Sequence, residues 1–178
     1  MYNQRATILW NRRVGPAHHR IGIVCRAEFA DAVPGQFVMV RPAGQQAPLL
    51  RRPYSIFNPI EQDGRVAGIE LLVKVVGEGT RQLCGLAAGA AVDLLGPLGR
   101  GFRIPPHLER AVLVAGGIGV SPIYFLALTM VKNRLPVDRL RVYVGARSDR
   151  ELLCISDFEA LDLAVTCTTD DGSAGDQC

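Results

Sequence analysis

Residues 96–106 read GPLGRGFRIPP, and this stretch separates two halves of the chain that have different sequence patterns. Its eleven residues include three glycines and three prolines, a composition typical of a joint between domains. We therefore predict two domains, one over residues 1–102 and the other over residues 103–178.

The half before the joint contains six short segments of strand-forming residues, separated by turn-forming glycines and prolines. They cover residues 6–10, 19–27, 36–42, 49–57, 66–76 and 90–97. A short helix is predicted within residues 80–89, with its end near Gly85 or Gly89. Six short strands with one small helix indicate a closed or nearly closed antiparallel β-barrel.

The half after the joint alternates between strand and helix patterns. Strands are predicted over residues 111–117, 140–147 and 163–172, and helices over residues 121–134 and 149–161, the first with Ser121 as its N-cap. This order predicts a parallel sheet with right-handed crossovers. Three strands are fewer than a doubly wound nucleotide-binding fold normally has, so we predict a partial domain belonging to a longer protein.

The composition of the chain excludes several classes of protein. No apolar run reaches the roughly 18 residues that a membrane span needs, and the N-terminus lacks the apolar segment of a signal peptide, so we expect a cytoplasmic protein without a membrane partner. The net charge of +3 comes without a basic run carrying interleaved aromatic residues, so a nucleic-acid partner is not expected. The five cysteines lack metal-site spacing, and we assign no metal ligand.

Two glycine-rich turns are candidate phosphate sites. AGGIGVSP, at residues 115–122, lies between a predicted strand and a predicted helix, where backbone amides and the helix dipole favour an anion. Gly116, Gly117 and Gly119 would let a ligand approach the backbone. GEGT, at residues 77–80, is a similar turn with Thr80 as the expected N-cap. Either turn is also consistent with a strand-to-helix connection that binds nothing.

The stretch RRPYSIF, at residues 51–57, places polar groups inside an apolar run. Arginine offers a planar fork of donors to phosphate, tyrosine a flat stacking surface, and serine a hydroxyl that donates or accepts. A bend after Pro53 would aim Tyr54 and Ser55 at one ligand. The alternative is an edge strand with a surface arginine pair and a half-buried tyrosine.

Other polar residues are less informative. His18 and His19 precede a predicted strand and are expected to be exposed. Asp170 and Asp171 follow the last predicted strand at its carboxyl end, where ligands bind in open parallel sheets. Arg147 with Ser148 would suit the extra phosphate of NADPH, whereas the adjacent Asp149 argues for NADH, and this choice stays open.

Taken in order, these motifs resemble the ferredoxin–NADP reductase superfamily, and within it the electron transfer subunits of type B dihydroorotate dehydrogenases. The resemblance covers essentially the whole chain and rests on PGQFVMV (34–40), RPYS (52–55), GEGT (77–80), GPLGRGF (96–102), AGGIGVSP (115–122) and TDDGS (169–173). It implies an FAD-binding barrel followed by a domain that binds NAD(H).

The resemblance also implies roles for particular residues. Arg52, next to Pro53, would contact the FAD pyrophosphate, Tyr54 would lie against the flavin, and Ser55 would hydrogen-bond near flavin N5, which makes Tyr54 and Ser55 the expected catalytic pair. The remaining residues that it implies bind cofactor are Leu72, Val73 and Lys74 along the flavin sugar and phosphates, Gly79 and Thr80 at the pyrophosphate, Gly116, Gly117 and Gly119 at the NAD(H) phosphates, and Asp170 and Asp171 near the nicotinamide.

The implied activity is an electron relay between NAD(H) and a catalytic dehydrogenase subunit, through FAD and a 2Fe-2S cluster. The complex would be of a heterotetramer type and would oxidise dihydroorotate for pyrimidine biosynthesis. The cluster belongs on a cysteine-rich C-terminal segment that this sequence lacks, since Cys178 stands alone at its end. It is therefore expected only in a missing segment.

Two alternatives remain open from the sequence. The same kind of subunit serves sulfide dehydrogenase, hydrogenase and ferredoxin reductase complexes. A non-catalytic nucleotide-binding module is a different class, and it predicts nucleotide binding without flavin reduction.

Overall fold

A computed structural model describes residues 2–25, 29, 31–44 and 50–175 of the chain. The chain divides into two compact units, Met1–Gly101 and Phe102–Cys178, a division one residue before the predicted boundary. Parts of the strands predicted over residues 19–27 and 49–57 lie outside the described residues, and so does Cys178.

The first unit is a closed antiparallel barrel in the strand order β1-β2-β5-β4-β3-β6, with β6 pairing back onto β1. This confirms the predicted barrel. Its strands are β1 (Tyr2–Gly15), β2 (His18–Val24), β3 (Phe37–Pro42), β4 (Arg52–Gln62), β5 (Arg65–Lys74) and β6 (Ala91–Leu98).

The barrel interior is built from alternate residues of its strands, as a period of two requires. Ile8, Ile23 and Ile69 are each at most 1% exposed. Strand β1 is much longer than predicted because it pairs with β6 over Tyr2–Thr7 and with β2 from Thr7 onward. A register shift between Ile8 and Trp10 in the β1–β2 ladder interrupts the alternation of apolar and polar residues along β1. The second half of β1 is polar, so the sequence pattern did not predict a strand there.

Strands β4 and β5 form a hairpin that leads into α1 (Glu78–Cys84), the one α-helix among the described residues of this unit. Asp63 and Gly64 both have positive φ, as the two-residue turns of hairpins require. Helix α1 ends beside Gly85, one of the two ends that were expected. It begins at Glu78 rather than at residue 80, and its N-cap is Gly77 rather than Thr80, so the prediction of its start was wrong.

The second unit is a three-stranded parallel sheet in the order β7-β8-β9, which confirms the predicted partial α/β domain. Its elements are β7 (Ala111–Gly116), α2 (Val120–Lys132), β8 (Leu140–Ala146), α3 (Ile155–Glu159) and β9 (Val165–Thr169). Helix α2 packs against β7, and α3 packs against β9.

Both helices of the second unit differ from their predicted bounds. Helix α2 is capped by Gly119, so Ser121 is its second residue and not its N-cap. The helix predicted over residues 149–161 is instead a 3₁₀ turn at Asp149–Glu151 and the five-residue α3. Cys154 between them has φ of 65°, a left-handed conformation that interrupts a right-handed helix.

In the part of the chain that the structure describes, no helix combines the length and apolar character needed to cross a membrane.

Candidate functional site

The predicted flavin residues converge on a place where β4 and β5 separate. The ladder between these strands runs from Ile56–Leu71 to Gln62–Arg65. Residues 52–55 lie beyond this ladder and pair with β3, whereas residues 72–74 lie beyond it and pair with β2. We call the space between these two strand ends the β4–β5 gap. Backbone donors and acceptors on facing open edges can bind a ligand.

Arg52 and Tyr54 share one face of β4 at this gap, because they are two residues apart in a strand. The Arg52 guanidinium is exposed and donates from Nη1 to the Leu50 carbonyl at 3.1 Å. This bond uses one of the five N–H donors of a guanidinium. The exposed fork is therefore suited to a phosphate, as predicted.

Tyr54 is 9% exposed and faces the inside of the barrel beside Val38. Burial raises the pKa of its phenol to about 12, Cys84 adds to the rise, and Arg52 opposes it. The ring is therefore neutral at physiological pH and available as a stacking surface.

Ser55 lies on the opposite face of β4 from Tyr54, next to Phe37 of β3. The bend predicted after Pro53 is absent from the described residues, since β4 runs as a continuous strand from Arg52. Because Tyr54 and Ser55 lie on opposite faces of the strand, one flat ligand would contact both side chains only if it crossed the edge of β4 at the β4–β5 gap. The structure brings Ser55 to the gap but does not place it beside the tyrosine ring.

The β5 residues at the gap are Leu72, Val73 and Lys74. Leu72 and Val73 are 3% and 1% exposed, and Lys74 is half-buried at the end of the strand. The two apolar side chains therefore belong to the barrel core. Only the lysine and the strand backbone can face a polar ligand.

Helix α1 begins three residues after β5 and packs against β3 and β5, the two neighbours of β4. The Thr80 hydroxyl accepts hydrogen bonds from the Val76 and Gly77 amides and donates to the Gly77 carbonyl at 2.9 Å. The hydroxyl thus closes the turn before the helix. The first-turn amides, which include Gly79, have no acceptor within the helix and can meet an anion.

A cluster of polar residues that the sequence analysis missed holds the other end of α1. Asn11 Nδ2 donates to the carbonyls of Cys84 at 2.9 Å and Leu86 at 2.8 Å, and Asn11 Oδ1 lies 2.9 Å from His19 Nδ1. His18 is 1% exposed and His19 half-buried, so the expected exposure of both was wrong. The sequence gives no local signal for this cluster, because Asn11 contacts residues more than seventy positions away.

In the second unit, Gly116, Gly117 and Gly119 lie together where β7 ends and α2 begins. A Cβ atom built on any of them would meet no atom of the described residues within 4 Å. Gly117 has φ of 50°, which favours glycine. The backbone of this loop is therefore open to a ligand.

Asp170 and Asp171 follow β9, as predicted, but their surroundings differ. Asp170 is exposed. The Asp171 carboxylate accepts hydrogen bonds from the Ser173 hydroxyl at 2.6 Å and the Ser173 amide at 3.0 Å, which hold the pKa of that carboxyl below its usual value. Asp171 therefore stabilises the turn after β9, whereas Asp170 is available to a ligand.

Among the described residues, no group of three or more His, Cys, Asp and Glu side chains is arranged to hold a metal ion.

Comparison with known proteins identifies the first unit. Residues 19–102 match the family model of the oxidoreductase FAD-binding domain. The electron transfer subunit of dihydroorotate dehydrogenase B (NAD(+)) from Desulforamulus reducens is 43% identical over 144 residues, which are 81% of this chain and 53% of that protein. The same subunit from Bacillus caldolyticus is 33% identical over 174 residues, 97% of this chain and 65% of that protein.

A solved structure agrees with the sequence relatives. The structure of NADH-dependent reduced ferredoxin-NADP oxidoreductase, a study of flavin-based electron bifurcation, superposes with a TM-score of 0.78 at 25% identity and covers 96% of this chain and 58% of that one. This chain thus spans between about half and two thirds of its relatives' length. On its barrel, its sheet and these relatives, residues 19–102 belong to the family of oxidoreductase FAD-binding domains, and the chain as a whole shares the fold of the ferredoxin-NADP oxidoreductase structure.

Proposed function

We propose that this chain binds FAD at the β4–β5 gap and NAD(H) at the glycine loop of its second unit, and that it relays electrons between NAD(H) and a dehydrogenase partner. The observation that carries the proposal is the gap itself. Arg52 and Tyr54 lie on the β4 side of the gap, and Lys74 lies on the β5 side. Helix α1 packs against β3 and β5 beside the gap.

Each residue at the gap would contact a different part of the flavin nucleotide. The Arg52 guanidinium and the first-turn amides of α1 neutralise the pyrophosphate. Tyr54 offers its ring to the flavin and excludes water from one side of it. The Ser55 hydroxyl donates or accepts a hydrogen bond at the reactive edge of the ring. FAD, when bound, supplies the hydride and single-electron chemistry that amino-acid side chains lack.

The proposed reaction is the oxidation of dihydroorotate in pyrimidine biosynthesis, with the electrons passing through this subunit to NAD(+). The names of the relatives from Desulforamulus reducens and Bacillus caldolyticus support it. The proposal includes a catalytic partner subunit. It also includes a 2Fe-2S cluster, which the described residues are not arranged to hold and which would lie on a further segment.

The first test is cofactor uptake and reduction. Protein incubated with FAD and then desalted should keep a flavin absorption band, and anaerobic mixing with NADH should bleach it. A protein that stays colourless would refute the flavin site. A yellow protein that NADH does not bleach would favour the non-catalytic nucleotide-binding module.

The second test separates the proposed complex from similar ones. The chain is mixed with a dihydroorotate-oxidising catalytic subunit, and orotate formation coupled to NAD(+) reduction is recorded. Ferredoxin in place of that subunit provides the comparison, because the similar solved structure is an NADH-dependent ferredoxin-NADP oxidoreductase. Electron transfer to ferredoxin alone would favour the ferredoxin reductase alternative.

A further inference from the structure

Asn11 connects the barrel wall to the end of α1. It lies in β1 opposite Ile21, which is fully buried, and residues opposite each other in a ladder point to the same face. The Asn11 side chain therefore points inward, toward the side of the barrel that α1 covers. There it donates to the Cys84 and Leu86 carbonyls.

These contacts fix the orientation of the Asn11 amide. Two backbone carbonyls, at 2.9 Å and 2.8 Å, both require a donor, so the atom that they face is Nδ2. Asn11 Oδ1 is then the acceptor in the hydrogen bond with His19, so the proton of this bond is on His19 Nδ1. Burial, and to a smaller extent Arg13, lower the pKa of His19, so the neutral ring persists at physiological pH.

The Cys84 carbonyl is one that a helix leaves without a partner at its C-terminal end, and Leu86 lies two residues after the helix. Helix α1 has only seven residues, too few to be stable without tertiary contacts. Its C-terminal residue Cys84 is 9% exposed, and its thiol contributes to the raised pKa of Tyr54. Asn11 thus contacts helix α1, whose first turn includes Gly79 and which packs beside the β4–β5 gap.

We infer that Asn11, oriented by His19, is a positioning residue that holds the C-terminal end of α1 against the barrel and so keeps the cofactor in the β4–β5 gap. The inference rests on the proposed FAD site. Asn11 itself does not reach the cofactor. Its effect passes through the position of Cys84 and of the turn that begins α1.

The test uses the full chain with two readouts. The first is the rate at which iodoacetamide alkylates Cys84 in cofactor-free protein, measured by mass spectrometry. This rate reports how firmly the C-terminal end of α1 is held, and it does not depend on FAD. The second is the rate of FAD loss on dilution, followed by absorbance after ultrafiltration. Asn11→Ala removes the amide, and Asn11→Asp keeps its shape but replaces the donor with an acceptor.

We expect both variants to raise Cys84 alkylation about tenfold, the effect of losing two hydrogen bonds, and to release FAD faster by a similar factor. His19→Ala leaves both donated bonds in place and should give a smaller change in the same direction, which keeps the test valid if the Asn11 variants do not fold. Asn133→Ala, an exposed asparagine after α2, is the matched control and should behave as wild type.

Three results would overturn the inference. Wild-type Cys84 alkylation in the Asn11 and His19 variants would show that Asn11 does not hold α1. Faster alkylation with unchanged FAD loss would show that α1 does not control the cofactor. Failure of the wild-type protein to take up FAD would refute the proposed function as well, whereas the first two results leave that function intact.

Discussion

At the residue scale, Arg52 combines an exposed side chain with a charged group that suits the FAD pyrophosphate. A hydrogen bond to a charged group contributes about 1.5–3 kcal/mol, so Arg52→Ala should weaken FAD binding about 10- to 100-fold. Equilibrium titration with FAD measures the change. Arg65→Ala, at the exposed start of β5, is the matched control, and an equal loss in both variants would remove Arg52 from the site.

Ser55 should affect chemistry more than binding. Because its hydroxyl lies across the strand from Tyr54, it can meet only the edge of a ring that stacks on the tyrosine. Ser55→Ala should slow flavin reduction by NADH about tenfold, the effect of one neutral hydrogen bond, while FAD affinity stays nearly unchanged. Stopped-flow absorbance gives the rate, and an unchanged rate would contradict the assignment.

Cys84 provides a pH-dependent prediction. Burial raises the pKa of its thiol from 9.0 to about 11. The folded state therefore favours the protonated thiol, and this contribution to stability is complete below pH 9.0 and is lost as the pH rises through about 11. Since the thiolate is the reactive form, we expect very slow alkylation of Cys84 in the folded protein at pH 8 and fast alkylation in urea. Equal rates in both conditions would contradict the burial.

At the element scale, the β2–β5 ladder depends on a glycine. A Cβ atom on Gly68 would overlap the Ile23 carbonyl oxygen, a backbone atom. Gly68→Ala should therefore lower the free energy of unfolding by about 1–3 kcal/mol, the range for overpacked interiors. Urea unfolding followed by circular dichroism measures it.

Gly145→Ala provides the control for Gly68→Ala. Gly145 is also a strand glycine, but its Cβ would meet Thr168 Cγ2 at 3.6 Å, an ordinary contact. A loss in stability at Gly145 as large as the loss at Gly68 would show that the backbone overlap is not the cause.

The elements also show what the sequence can and cannot predict. The alternation of apolar residues located the barrel strands. The extent of β1 was missed because it depends on pairing with β6 and β2, strands distant in sequence. The helix over residues 149–161 was overestimated because Cys154 takes a left-handed conformation that helical periodicity does not reveal.

The same distinction applies to the candidate site. The motif at residues 52–55 was recognised from local residue order. The β4–β5 gap was not, because it arises from the different ends of two ladders. Asn11 was missed since its partners, Cys84 and Leu86, lie more than seventy positions along the chain. Contacts of this kind leave no local signal.

At the scale of the whole molecule, each unit has its own core. The barrel closes through the β1–β6 ladder and therefore leaves no unpaired edge strand that would need the second unit. We expect a fragment of residues 1–102 to fold and to bind FAD, because the β4–β5 gap, α1 and Asn11 all lie within it. It should not be reduced by NADH at the rate of the full chain.

Circular dichroism and FAD titration of that fragment are the measurements. Retained FAD binding with lost NADH reduction would assign the nicotinamide nucleotide to the second unit. An unfolded fragment would show that the barrel depends on residues after the joint.

Trp10 is the single tryptophan of the chain. Its ring lies over Gly22, where a side chain would collide with it, and the Arg12 guanidinium sits 5.0 Å from the ring centroid. The residue directly precedes Asn11. Its fluorescence therefore comes from one known place in the barrel, and a bound flavin, which absorbs tryptophan emission, would quench it by energy transfer. The protein thus carries a built-in optical reporter of cofactor occupancy that requires no label.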